Sequence, residues 1–371
     1  MKWTRYPADV LPAWVAEMDF DLAEPIKDAV REAIGIGDCG YPNALGLGDA
    51  YGAFAGERFG WIPDPRHVFA TPDVMTGIVE VIHEVTPHGS GIVINPPVYP
   101  PFFYRLQMSG RRVVEAPLRR DAGGRYHLDP AAVDAALAGD GVAAYLLCSP
   151  HNPTGRVWSP DDLAAVAEIC ARRGVFLLVD EIHAPLALPG ATHVPFLSLD
   201  LDPAVWELRR RTFTFTSASK GWNIPGLKCG LAVAGHDEGA RVLAKRWEAL
   251  LASHIGVVAT EAAFRQGGPW LDAVLGQLDE NRGLLAKLLA SHLPGVGYVP
   301  PEASFLAWLD CRDLGLADPA GTFLDAGRVA LSPGGDFGEQ GRAFVRLNMG
   351  TSPALLEEIV RRMGAAVQSV S

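Results

Sequence analysis

The sequence predicts an α/β protein: a large domain with a seven-stranded, mostly parallel sheet, followed by a smaller α+β domain. Three observations carry this. Short β-rich runs alternate with amphipathic helical stretches through the middle of the chain. After about residue 240 the pattern turns to long helical periods and then a shorter mixed segment. The 371 residues also suffice for two domains, and an apolar share of 49% with 20% charged residues has no disordered signature.

The seven predicted strands are His67–Thr71, Gly91–Asn95, Arg111–Pro117, Val142–Ser149, Val175–Asp180, Thr212–Ser217 and Cys229–Ala234. One intervening helix has both ends marked. Ser159 is a good N-cap, Pro160 suits the first helical position, and Asp161 and Asp162 complement the positive helix end. Leu163, Val166, Ala167 and Cys170 then recur at helical spacing, and Gly174 stops the helix. Long helical patterns follow over Arg241–Gln266 and Leu271–His292. The opening stretch, Trp3–Gly37, ends in a helix over Glu24–Ile34 and is expected to pack against the small domain. The expected division is an N-terminal segment over 1–40, a large domain with its connecting helix over 41–270, and a small domain over 271–371.

Composition removes several classes of function. A formal charge of −11, with no long Lys/Arg run, argues against a nucleic-acid partner. No window is long and apolar enough for a membrane span, and the opening residues lack the apolar core of a signal peptide, so a cytoplasmic protein is expected. Five scattered cysteines (Cys39, Cys148, Cys170, Cys229, Cys311) suggest neither a disulfide framework nor a zinc site, and no metal is expected. Gly35-Ile-Gly37-Asp-Cys-Gly40 fits a dinucleotide fingerprint only in letters, because it follows a helix where that motif must follow a strand. His83-Glu84 with His88 has the wrong spacing for a zinc-protease motif, and Pro87 breaks the helix between the two imidazoles.

Four segments each lie just past the carboxyl end of a predicted strand, where open α/β sheets bind ligands. They are Asn95-Pro-Pro-Val-Tyr99-Pro-Pro-Phe102, Ser149-Pro-His151-Asn152-Pro-Thr-Gly155, Asp180-Glu181-Ile-His183 and Ser217-Ala-Ser219-Lys220. A cofactor carrying a pyridinium, a phenolate oxygen, a phosphate and an aldehyde would use every member. A lysine amine forms a Schiff base, and a carboxylate keeps the pyridine nitrogen protonated. An Asn amide donates to the phenolate, an aromatic ring stacks on the pyridine, and N–H groups with a hydroxyl hold the phosphate.

On these residues the chain resembles the fold-type I pyridoxal 5′-phosphate (PLP) enzymes, with the aspartate-aminotransferase-like fold. Within them it resembles the MalY/PatB-like branch of cystathionine and cysteine-S-conjugate β-lyases. Further marks of the branch are Leu11-Pro-Ala-Trp14-Val-Ala-Glu-Met-Asp-Phe20, Ser219-Lys-Gly-Trp-Asn-Ile-Pro-Gly-Leu-Lys228 and Phe344-Val-Arg-Leu-Asn348. The resemblance implies that Lys220 carries the cofactor and moves the proton, Asp180 pairs with the pyridine nitrogen, and Asn152 bonds the phenolate oxygen. It implies that His183 also approaches that oxygen, and that Tyr99 stacks on the ring. Ser217, Ser219 and Lys228 become phosphate ligands, with backbone N–H groups of Val74 and Met75. Tyr41 reaches the phosphate of a neighbouring subunit, so a homodimer is implied. Arg346 clamps the substrate carboxylate, and Ala16, Asn152 and Tyr99 border the substrate. Tyr104, Trp14 and Trp222 are candidates for the pocket wall, with core packing as the competing role. Two departures touch only the substrate side: Ala184 and Pro185 follow His183 where the branch carries an acid, and Glu17 replaces a frequent Asp.

The implied reaction is β-elimination from a small amino-acid substrate, L-cystathionine or an L-cysteine S-conjugate, giving a thiol, pyruvate and ammonia. An aminotransferase would use the same cofactor residues, and a PLP-binding regulatory protein is a third reading.

Overall fold

The computed structural model describes residues 1–246 and 251–370. Seven strands form the large sheet: β1 (Val68–Thr71), β2 (Gly91–Ile94), β3 (Arg112–Glu115), β4 (Val142–Cys148), β5 (Phe176–Asp180), β6 (Thr212–Thr216) and β7 (Gly230–Ala234). Their order is β1-β7-β6-β5-β4-β2-β3, so all seven predicted strands meet in one sheet. β3, β2, β4, β5 and β6 run parallel, whereas β7 is antiparallel to both β6 and β1. That reversal brings the start of β7, at Lys228–Cys229, to the edge where the parallel strands end.

The sheet is buried on both faces, as parallel sheets covered by crossover helices are. Successive residues of β4 point to opposite faces. Tyr145 and Leu147 join one apolar cluster with Leu177 and Val179, and Ala144, Leu146 and Cys148 join another with Leu178 and Phe215. Helices α1 (Glu24–Gly35), α2 (Leu47–Phe59), α3 (Val74–Val85), α4 (Pro101–Met108) and α5 (Pro160–Arg173) flank and precede these strands. In α5, Ser159 and Asp162 close a reciprocal capping box, and Gly174 ends the helix at φ +68°.

The Arg241–Gln266 pattern is not one helix. A helix runs over Asp237–Lys245, Trp247–Leu250 lies outside the described residues, and α6 (His254–Gln266) starts afresh with the Ser253 hydroxyl accepting from the Gly256 N–H. The next pattern is one helix, α7 (Gly268–His292). Beyond it lies a four-stranded sheet of β8 (Gly297–Tyr298), β9 (Leu306–Asp310), β10 (Ser332–Pro333) and β11 (Phe344–Asn348), in the order β8-β9-β11-β10.

The N-terminal segment belongs to both regions. Leu11–Pro12 pairs in parallel with Val329–Ala330, but α1 lies along α6 instead of the small sheet. The buried face of that helix, through Ile26, joins the cluster that α2 and α6 share with the small sheet.

Candidate active site

The carboxyl edge of the large sheet opens into a cavity of about 400 Å³. Register explains the convergence. Cys148, Asp180 and Phe215 sit level at the ends of β4, β5 and β6, so the loops leaving these strands start side by side. Val74, Met75, Tyr99, Asn152, Asp180, His183, Ser217, Ser219, Lys220, Lys228, Arg346 and Ala16 all line this one cavity. Tyr41 does not; it is 92% exposed on the chain's outer surface.

Asp180 ends β5 and is buried at 3% exposure. Its Oδ1 accepts from the Ile182 N–H at 3.0 Å, and burial pushes its pKa up to about 7 against partial relief from that bond and from Lys220. Lys220 lies in a single helical turn, Ala218–Gly221, opened by Ser217, whose hydroxyl accepts from the Ser219 N–H and donates to the Cys229 carbonyl. The Lys220 Nζ donates to the Ala16 carbonyl at 2.9 Å. Burial, reinforced by the Arg346 charge, lowers its pKa to about 8, which leaves about a tenth as free amine at pH 7.

Arg346 comes from β11 of the small sheet and is 6% exposed. Its guanidinium donates to Asn152 Oδ1 at 3.1 Å, the Trp14 carbonyl at 3.0 Å and the Ser332 hydroxyl at 3.1 Å. The Asn152 loop and the N-terminal loop are thus fixed to one cation. The N-terminal loop is held further by two amides. Asn223 pairs reciprocally with the Met18 backbone at 2.8 Å, and Asn348 Nδ2 donates to the carbonyls of Val15 and Glu17 at 2.8 and 2.6 Å. At the far end, Asp73 caps α3 by accepting from the Thr76 N–H at 2.8 Å and pairs with Lys228 at 3.0 Å. The first turn of α3 therefore faces the cavity with unpaired N–H groups beside a lysine, a ready anion site.

Several of these residues had no assigned role from sequence. Asn223 and Asn348 stood inside quoted motifs, but their partners lie some 200 to 330 positions away. Ser332, Cys148 and Arg105, the last also lining the cavity, carried no local signal, whereas Asp73 stands at the N-cap of α3. Of the three aromatic candidates, Tyr104 lines the cavity. Trp222 is fully buried in the core against Phe54 and Phe264, with its indole N–H donating to the Gly267 carbonyl. Trp14 contributes only its carbonyl.

The cavity suits a planar, anionic cofactor. His183 Nδ1 and Arg346 Nε are buried without hydrogen-bond partners, and the second oxygen of Asp180 has none among the described residues. The profile of the "Aminotransferase class I and II" family matches residues 53–363. The chain belongs to this family. Among relatives, a Mycobacterium tuberculosis protein provisionally described as a cystathionine beta-lyase is 46% identical over 99% of this chain and 94% of its own length. "Cystathionine beta-lyase PatB" of Bacillus subtilis is 36% identical over 97% and 93%. The solved structure of cystalysin from Treponema denticola, which contains pyridoxal 5′-phosphate, superposes with a TM-score of 0.92 at 26% identity, covering 99% of this chain and 93% of that one. The aminotransferase-family fold thus extends over the whole chain. Among the described residues no helix is long and apolar enough to cross a membrane, and no group of three or more His, Cys, Asp or Glu could hold a metal ion.

Proposed function

We propose that this chain is a PLP-dependent carbon–sulfur β-lyase that cleaves L-cystathionine or L-cysteine S-conjugates to a thiol, pyruvate and ammonia. The observation that carries it is the placement of Lys220, Asp180, Asn152, Tyr99 and Arg346 around one cavity, in a chain 36–46% identical to proteins described as cystathionine beta-lyases.

Each residue then has a task. Asp180 holds a proton on the pyridine nitrogen, Asn152 and His183 bond the ring oxygen, and Tyr99 packs on the ring face. Lys228, Ser217, Ser219 and the N–H groups of Val74 and Met75 hold the phosphate. Arg346 is already fixed by three acceptors and presents its remaining N–H face to the substrate carboxylate. PLP bound here supplies an electron sink for the pair left at Cα when its proton departs. The Lys220 Nζ, with its lowered pKa, takes that proton. The Cβ–S bond then breaks, the thiolate leaves, and the released enamine hydrolyses to pyruvate and ammonia. The Ala16 carbonyl holds Lys220 on the side where the N-terminal loop closes the cavity.

The same reading gives a cytoplasmic homodimer in which Tyr41 reaches the partner subunit's phosphate. It divides the chain into an N-terminal segment over 1–40, a PLP-binding domain over 41–270 and a small domain over 271–371. The deciding experiment is pyruvate and ammonia release from L-cystathionine by PLP-loaded protein with no oxo acid present. Equal, sustained release is expected. Turnover only with an added oxo acid would make the chain an aminotransferase.

A further inference from the structure

The cavity holds a cation that the proposed reaction leaves without an anion. Arg105 lies on α4, six residues after Tyr99, and lines the cavity beside Tyr104. It is half-buried, yet among the described residues its guanidinium has no ion pair and no hydrogen bond. Every other buried or half-buried arginine among the described residues has one: Arg58, Arg111, Arg120, Arg156, Arg209, Arg210, Arg246, Arg282, Arg328, Arg346 and Arg362. A guanidinium drawn partly out of water and left unpaired is a standing cost that an arriving anion relieves.

The other charges in the cavity are committed. Asp73 and Lys228 pair at 3.0 Å beside the α3 N-terminus, where a phosphate is already well supplied with donors. Arg346 is taken for the α-carboxylate and Asp180 for the pyridine nitrogen. What remains is the far end of the substrate, beyond sulfur. We infer that Arg105 is a specificity-determining residue that receives a carboxylate on the S-substituent, so the enzyme favours S-conjugates with an anionic tail. The Tyr104 ring, 50% exposed on the same wall, gives the intervening methylenes an apolar surface. This inference rests on the β-lyase reading.

The test compares S-(2-carboxyethyl)-L-cysteine with its isosteric amide, S-(2-carbamoylethyl)-L-cysteine, on PLP-loaded protein. A charge-assisted hydrogen bond of ordinary strength predicts a kcat/KM ratio of about tenfold or more in favour of the carboxylate. Arg105→Gln is expected to narrow that ratio to about twofold, chiefly through KM, and Arg105→Glu to turn the preference toward S-(2-aminoethyl)-L-cysteine. A ratio unchanged in Arg105→Gln, or equal losses on both substrates, overturns the inference. So does a variant altered only in PLP affinity, which would place Arg105 on the cofactor phosphate. If neither conjugate yields pyruvate without an oxo acid, it is the β-lyase reading that fails. The same ratio is then read from half-saturation of the cofactor's absorbance change by the two conjugates.

Discussion

Two residues at the carboxyl edge of the sheet have pKa values displaced from their ordinary ranges, and both shifts come mainly from burial. Asp180 is pushed from 3.8 up to about 7, so between those values the folded chain binds more protons than the unfolded one. In cofactor-free protein its carboxyl therefore erodes stability as pH rises from about 4 to 7, and the full cost is present above 7. Asp180→Asn removes that charge. The cofactor-free variant is expected to melt a few degrees above the cofactor-free parent near pH 8, with the gap closing as pH falls toward about 4. Thermal midpoints across that range check it, and a gap independent of pH would show that the carboxylate charge is not its source. Lys220 is displaced the other way, down to about 8. Lys220→Ala is expected to cut pyruvate release by about a thousandfold or more, as loss of a proton-moving group does. Borohydride should then no longer fix the cofactor covalently to the chain, a loss read by mass spectrometry. A variant that still bonds the cofactor covalently would move the attachment site to another lysine.

Among the elements, the loop bearing Asn152 is stitched to the segment leading into β9 by one carboxylate. Glu302 accepts from Arg125, Arg156 and the Val157 N–H, the last at 2.9 Å, while its own N–H and that of Ala303 donate to the Gly155 carbonyl. Gly155 sits at φ +67°, where a Cβ would lie 2.3 Å from the Pro301 Cβ, so the Pro301 side chain packs directly on the Gly155 backbone. Glu302→Ala leaves the buried Val157 N–H unpaired and is expected to cost about 2 kcal/mol, read as a lower denaturant midpoint. A raised KM should accompany it, because Asn152 loses its backing; an unchanged midpoint would show that the backbone contacts alone suffice. This scale also separates what was legible in the sequence from what was not. Strands β1 to β7 were readable because each is a short apolar or β-branched run bounded by Gly, Pro or polar residues. The cavity residues were readable because most leave the carboxyl ends of those strands. The break inside 241–266 was hidden because helical periodicity holds on both sides of Ser253, and only that capping serine marks the restart. The ties made by Asn223, Asn348 and Ser332 were hidden because their partners are distant in sequence and leave no local period.

For the molecule as a whole, the cavity is walled by three parts of the chain: the sheet edge with helices α3 and α4, β11 of the small sheet, and the N-terminal loop. Its surface suggests a fourth. Ile34, Ile36, Tyr41 and Leu45 are 58%, 76%, 92% and 87% exposed, and they cluster in sequence at the end of α1 and the loop leading into α2. Four large apolar side chains so close together in sequence are more than scattered surface exposure requires, which supports the homodimer proposal. A second copy of the chain fits the reading in which Tyr41 completes the partner subunit's site. A charge at the centre of that surface would be desolvated without a partner on association. On the homodimer reading, Leu45→Asp is therefore expected to give a monomer in light scattering, and to lower turnover about tenfold or more because Tyr41 would no longer reach the partner subunit. Full activity in a proven monomer would contradict the shared site. A stable dimer despite the aspartate would place the interface elsewhere on the chain.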